Sequence, residues 1–292
     1  MERAVVQRAC NRGTTLSDES LSVILITNDD GIASPGLMAA VRAVLDLGEI
    51  WVAAPRVQQS GLGRSFPGGT IKVRKSILDV DGTGVQCIAL DASPAQAVRH
   101  GILRFLPRVP DLAISGINYG ENLGGSVTIS GTIGAAIEAA GFGVPTLAAS
   151  LETDKKHHFS LSNEVDFSAA AVFLRRFAQW LLTHGMPEGV DVLKLEVPSD
   201  ATPNTAWRVT RVSRQPYWVS PVTIDDHGDR QIAGYIKEID FDTLELDSDV
   251  RAMAVDRVVS VSPLTIDLTA KVGLESLQTR LSRSVSGAGE AQ

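Results

Sequence analysis

The chain has 292 residues, enough for one large domain or for a domain with a sizeable appendage, and 44% hydrophobic with 21% charged residues is the balance of a folded chain. A formal net charge of -7 argues against a general nucleic-acid binder with a basic face, but not against a small phosphorylated substrate, whose charge a metal can offset. Two cysteines, Cys10 and Cys87, make neither a disulfide framework nor a thiolate metal site, and with no signal-like or membrane-length apolar run the cytoplasm is the expected address.

Residues 1–20 are polar and aperiodic and are expected to form a disordered extension. Val23-Ile24-Leu25-Ile26-Thr27 then reads as a strand buried on both faces, as in a parallel sheet. It runs into Asn28-Asp29-Asp30-Gly31, after which Ser34 as N-cap and Pro35 at the first helical position open a helix carrying Leu37, Val41, Val44 and Leu45. Adjacent carboxylates at the carboxyl end of a first parallel strand sit where open α/β sheets bind their ligands. Taken alone, Asp-Asp-Gly serves equally well as a turn.

A second strand at residues 50–54 stops at Pro55. The loop 56–69, with Gln58, Gln59, Ser60, Gly61, Gly63, Arg64 and Ser65, is too long to be a simple connector. Short strands are expected near 70–75 and 85–90, then a helix capped by Ser93 and running to Leu103. Residues 111–115 form another buried strand, which opens at Gly116 into a glycine- and asparagine-rich loop containing Asn118 and Asn122. Ser130-Gly131-Thr132 leads a helix over 133–140 that Gly141 can close. A strand at 144–150, a helix at 166–183 and a strand at 192–197 complete an alternation that predicts a mostly parallel sheet with helices on both faces. The pattern changes near Pro198-Ser199-Asp200. Beyond it come β segments at 207–212, 231–237 and 258–262 and a last helix at 272–281. The expected division is therefore an extension at 1–20, a core at 21–200, a β extension with late strand and helix at 201–282, and a flexible tail at 283–292.

Three loops leave the carboxyl ends of successive strands and offer Asp29 and Asp30, Ser60, and Asn118. These are oxygen donors without thiol or imidazole, a set suited to a hard divalent cation such as Mg²⁺, Mn²⁺ or Ca²⁺. Each residue alone also fits an ordinary turn. The small residues of Ser130-Gly131-Thr132 and Gly134-Ala135-Ala136 would let an anion approach free N–H groups at a helix start, although a flexible loop before a tightly packed helix has the same composition. Neither a dinucleotide fingerprint nor a Lys-containing phosphate loop is present. His157-His158 reads as a solvated turn, His227 as part of an acidic hairpin tip, and His100 and His184 as helix-end residues. No serine or cysteine is paired with a histidine at a recognised nucleophile spacing.

Together, Asn28-Asp29-Asp30-Gly31, Ser34-Pro35-Gly36-Leu37, Ala54-Pro55, Ser60-Gly61, the stretch Ser115 to Gly124, Ser130-Gly131-Thr132 and the late segment Ser260 to Thr269 resemble the SurE (survival protein E) 5′/3′-nucleotidases. The resemblance covers roughly residues 23–270. It implies a Rossmann-like three-layer α/β/α core with a C-terminal β-hairpin extension and terminal helix, assembled as a homodimer or homotetramer with an exchanged C-terminal segment. It also implies a divalent-metal-dependent phosphomonoesterase acting on nucleoside 5′- or 3′-monophosphates, and in some members on short polyphosphate. One cation, Mg²⁺ or Mn²⁺, would be held by Asp29, Asp30, Ser60 and Asn118, with Asp29 and Asp30 also catalytic. Asn122, Ser130, Gly131 and Thr132 would contact the phosphate. Neither a membrane nor a nucleic-acid polymer is expected as partner.

Some positions depart from the family pattern. Ile129 stands where an aromatic residue is common, and Gln96 in Ser93-Pro94-Ala95-Gln96-Ala97-Val98 replaces an acid. An aromatic pair of the second part is reduced to Gly234-Tyr235, and a glycine of the late strand is Arg257. Two rivals follow. A haloacid-dehalogenase-like phosphatase wants Asp-x-Asp, which the adjacent Asp29-Asp30 pair does not supply. The other is a catalytically weak nucleotide-binding or regulatory protein.

Overall fold

The computed structural model describes residues 21–286. The extension expected at 1–20 and the tail beyond 286 lie outside the described residues. The first strand β1 (Val23–Thr27) leads through the Asp-Asp turn to α1 (Pro35–Val44), and β2 (Glu49–Pro55) follows. The hairpin β3 (Val73–Val80) and β4 (Thr83–Leu90) precedes α2 (Pro94–His100), which continues as a π-helical turn over Gly101–Phe105. Then come β5 (Leu112–Tyr119), a 3₁₀ turn over Gly124–Ile129, α3 (Gly131–Ala140), β6 (Thr146–Leu151), α4 (Ser168–His184) and β7 (Val192–Val197).

These strands lie in one nine-stranded sheet of order β3-β4-β2-β1-β5-β6-β7, continued by two strands from beyond residue 200. The six from β4 to β7 run parallel, and β3 is antiparallel to β4. Alternation along β1 explains the three layers. Ile24 and Ile26 pack into one hydrophobic cluster with Leu37 and Val41 of α1 and Phe173 and Leu174 of α4. Leu25 packs into a second with Val98 of α2 and Ala135 of α3. The core is thus Rossmann-like, as the pattern of residues 21–200 predicts.

Two local differences bear on the site. The strand expected over 111–115 continues to Tyr119, because the chain after Gly116 resumes pairing with β6 (Asn118 with Ser150, Tyr119 with Leu151) past an irregularity in register. Asn118 therefore sits on a strand end and not in a free loop. At the start of α1, Ser34 holds the N-cap position but makes no side-chain cap bond. In contrast, Ser93 and Gln96 form a complete capping box at α2, which gives the residue in place of an acid a structural role.

Beyond residue 200 the chain adds β8 (Trp207–Val209), a ribbon of β9 (Trp218–Val219) with β12 (Ile236–Lys237), a hairpin of β10 (Val222–Ile224) with β11 (Arg230–Ile232), α5 (Asp249–Ala254), β13 (Val259–Leu264) and α6 (Leu274–Ser286). The late strand β13 pairs antiparallel with β7, and β8 pairs parallel with β13. Residue 200 therefore does not divide the sheet. His227 lies at the tip of the exposed β10–β11 hairpin, among turn bonds to Asp225. Arg257 has φ of 51°, the left-handed region that favours glycine, and its guanidinium pairs with Glu152 and Asp200. No described helix is long and apolar enough to cross a membrane.

Candidate active site

Strand order runs outward from β1 to β2 on one side and from β5 to β6 on the other, so the topological switch point lies between β1 and β5. In open α/β sheets the crevice at such a point, outside the carboxyl ends of the two strands, is where ligands bind. Asp29 and Asp30 leave β1 there, and Asn118 is near the end of β5. Asn28 shapes the turn by accepting from the Gly31 N–H (3.2 Å) and donating to the Gly31 carbonyl (3.0 Å). Gly31 takes φ of 100°, and the turn is stitched to the second loop by Gln59 N–H on the Asp29 carbonyl (2.7 Å).

Both carboxylates are almost wholly buried, and among the described residues neither is paired with a Lys or Arg. Burial raises the Asp29 carboxyl above its ordinary range, opposed by the Thr132 hydroxyl that donates to Oδ1 at 2.5 Å. Burial and then the neighbouring Asp29 charge push Asp30 well above that range. Asp30 is held by the Tyr119 N–H and by Gln58 Nε2, each at 3.2 Å. Gln58 Nε2 also lies 2.9 Å from Ser60 Oγ and 2.6 Å from the His158 carbonyl, so one amide ties three loops together. Asn118 commits its amide nitrogen to the carbonyls of Gly120 (2.7 Å) and Tyr119 (3.3 Å), which leaves Oδ1 as the group it can offer.

Asp29, Ser60, Asn118, Asn122 and Ser130 line one cleft of about 320 Å³. Among the described residues, no lysine or arginine lines it. Among the described residues there is no cluster of three or more His, Cys, Asp or Glu placed to hold a metal, so any cation here would rest on two carboxylates plus neutral oxygens. Gly131 and Thr132 stand against Asp29. A Cβ on Gly131 would lie 2.7 Å from the Asp29 Cβ and 2.8 Å from its Oδ2, so only glycine lets the helix start come this close. Ser130 caps α3 by accepting from the Ile133 N–H (3.2 Å). The anion that this helix start receives first is therefore the chain's own Asp29 carboxylate, oriented by the positive end of the helix dipole.

The opposite wall is aromatic and comes largely from the extension. His158, expected as a solvated turn, is half-buried and lines the cleft. Its Nδ1 meets the Tyr235 hydroxyl at 2.9 Å, and its ring stacks on Tyr235 and meets Trp218 edge-on. Burial lowers its pKa. A separate aromatic pair stands upstream of Gly234-Tyr235, at Tyr217-Trp218. Trp218 and Tyr235 line the cleft, while Tyr217 is buried and donates to Glu121 Oε1 at 2.6 Å. Lys237 reaches the same carboxylate at 3.1 Å. Gly120 packs against this wall, where a side chain would collide with the His158 ring.

With this geometry in hand, comparison with known proteins is informative. The model of the family described as Survival protein SurE matches residues 24–218. A protein from Thermococcus gammatolerans named 5′-nucleotidase SurE is 45% identical over 88% of this chain and 95% of its own length. Its namesake in Archaeoglobus fulgidus is 42% identical over 87% and 95%. The crystal structure of the SurE protein from Aquifex aeolicus superposes with a TM-score of 0.72 at 28% identity, covering 90% of this chain and 99% of that one. With a family model matched over residues 24–218 and relatives more than 40% identical over 87–88% of its length, this chain belongs to the SurE family.

Proposed function

We propose that the chain is a nucleotidase that releases phosphate from nucleoside monophosphates at the Asp29–Asp30 cleft, and that a single divalent cation, Mg²⁺ or Mn²⁺, is needed for it. The observation that carries this reading is the cleft's charge. Asp29 lines a cavity where, among the described residues, there is no lysine or arginine, and the buried Asp30 is its chain neighbour, so a positive partner would favour entry of an anionic phosphate. Asp29, Asp30, Ser60 Oγ and Asn118 Oδ1 would hold that cation, all being oxygen donors on loops that converge at the switch point.

When bound, the cation supplies positive charge to the phosphate oxygens and acidifies water. The chain's own residues do the rest. Thr132 and the start of α3 hold Asp29 in one orientation, so that it can take the proton of the attacking water as general base. Gln58 and the Tyr119 N–H fix Asp30. Ser130 and Asn122, on the cleft, bind the phosphate oxygens. Trp218 and Tyr235, whose rings meet edge to face, provide aromatic surface against which the nucleoside half can rest.

A phosphate-release panel tests the proposal. Nucleoside 5′- and 3′-monophosphates, sugar phosphates and short polyphosphate are each offered with Mg²⁺, with Mn²⁺ and with excess EDTA. Release from nucleoside monophosphates is expected, abolished by EDTA and by Asp30→Asn in a variant that keeps its circular dichroism spectrum. Full activity of Asp30→Asn, or of wild type in EDTA, rules out the metal site. Nucleotide binding without turnover in every arm would favour a regulatory binder instead.

A further inference from the structure

Three buried ionisable side chains stand beside the Asn122 loop without lining the cleft. Lys194 and Glu196 lie on one face of β7, and Asp249 is the first residue of α5; all three side chains are fully buried. The Lys194 ammonium donates to the Asn122 carbonyl (2.9 Å) and to Asp249 Oδ2 (2.9 Å) and lies 3.7 Å from Glu196 Oε1. Glu196 Oε2 accepts the Asn122 N–H (2.8 Å), and its Oε1 accepts the Ser150 hydroxyl (3.2 Å). Ser150 Oγ in turn accepts from Asn122 Nδ2 (3.0 Å). Two residues on, the Gly124 N–H donates to Asp249 Oδ2 (3.2 Å).

Asn122 is thus gripped at its N–H, its carbonyl and its side-chain amide by one network. Buried charges are a costly way to fill a core, and apolar residues of similar size would pack the same space. What these polar groups add is direction. Ser150 gives its proton to Glu196, so its lone pair must face Asn122 and the amide nitrogen must turn inward. The second amide N–H and Oδ1 are then left for the cleft that Asn122 lines. The network also spans the chain, with Ser150, Lys194 and Glu196 from the parallel sheet and Asp249 from the part after residue 200. The same part holds the loop's neighbours through the Gly125 N–H on the Gln215 carbonyl (2.7 Å) and Ser126 Oγ on the Pro216 carbonyl (2.7 Å).

We propose that Lys194, Glu196 and Asp249 are positioning residues of the hydrolytic site, which set the backbone and amide of Asn122 in the orientation that receives the substrate phosphate. This rests on the nucleotidase reading above. None of the three touches the substrate; each acts through Asn122 or Gly124.

The test uses the full chain carrying Glu196→Gln or Lys194→Met. Glutamine keeps the size of Glu196 but cannot accept from both Asn122 and Ser150, and methionine keeps the stem of Lys194 without its donors. Three quantities are measured: amide hydrogen exchange at residues 120–125, kcat and KM for a nucleoside monophosphate, and the inhibition constant of inorganic phosphate. In Glu196→Gln, exchange at Asn122 and Gly124 is expected to quicken by at least tenfold on the scale of a lost charged hydrogen bond, and KM and the phosphate constant to rise together by a similar factor. Lys194→Met should move all three the same way, and if it fails to fold, Glu196→Gln decides alone. Unchanged exchange overturns the proposal, and so does faster exchange with KM and phosphate inhibition unmoved. A wild-type protein that releases phosphate from no nucleotide defeats the nucleotidase reading, while the exchange arm still decides whether these charges hold the loop.

Discussion

Replacing Gly131 with alanine separates the geometry of the site from the stability of the fold. The added methyl would meet the Asp29 Cβ at 2.7 Å, and an ordinary contact begins near 3.4 Å, so the start of α3 and the Asp29 turn must part by roughly 0.7 Å. The nearest atoms belong to Asp29 itself, which is anchored by Thr132 and by the turn around Asn28, so neither side can yield without moving a group of the site. In stability the exchange is nearly neutral, because alanine favours the helix over glycine by up to about 1 kcal/mol and offsets part of the strain. In activity it is not, since a misplacement of about 1 Å costs on the order of 10²-fold, or about 2.7 kcal/mol of transition-state stabilisation. Phosphate release from a nucleoside monophosphate with Mg²⁺ or Mn²⁺, read beside a thermal melt, is therefore expected to show kcat/KM down about 100-fold with Tm within a few degrees of wild type. A variant with kcat/KM within threefold of wild type would refute the idea that the contact of α3 with Asp29 sets the reacting geometry.

Two further outcomes follow from buried carboxyl groups. Asp30→Asn removes a charge that the fold holds at a cost, so the metal-free variant is expected to melt higher than metal-free wild type at neutral pH, whereas saturating Mn²⁺ should raise Tm by several degrees only in wild type; a cation shift of equal size in both proteins would contradict the assignment. Burial pushes the Glu196 carboxyl from 4.5 up to about 8, so its contribution to stability is fully present below pH 4.5 and is lost as pH rises through about 8. Wild-type Tm should accordingly fall more steeply across that window than Tm of Glu196→Gln, by up to about 3–5 °C per pH unit, and parallel melting curves would show that Glu196 does not titrate there.

Much of the fold was legible because its signals are local. The β1 strand, the Pro35 helix start and the strand over Val192–Val197 all lie where periodicity and capping put them. The end of β5 was misread because Gly116 signals a break, while pairing with β6 some thirty residues on overrides it. That Asp29, Ser60 and Asn118 meet in one cleft was foreseeable for a similar reason, since each lies at or after the end of a recognisable strand. His158, Trp218 and Tyr235 were not. They reach the cleft through contacts such as Gln58 with the His158 carbonyl, a hundred residues apart, which no local pattern encodes. One clue went unused. Lys194 and Glu196 alternate with apolar residues and so suggest a strand with one solvated face, yet all six residues of β7 are buried. A charged stripe in a strand at the middle of a sheet must have partners, and their search leads to Asn122.

The manner in which β13 and α5 join the body of the molecule bears on how such proteins can diverge. The segment after residue 200 supplies the strand that covers β7, the carboxylate that Lys194 needs, and two of the aromatic rings facing the cleft. A lineage could restyle the exposed β10–β11 hairpin more freely, since none of its residues lines the cleft. It could not shed or re-register the flanking segments 215–220 and 235–259 without disturbing the floor on which Asn122 stands. Inheritance should therefore treat the two halves of this chain as one unit, with drift concentrated at the hairpin and scarce at the seam.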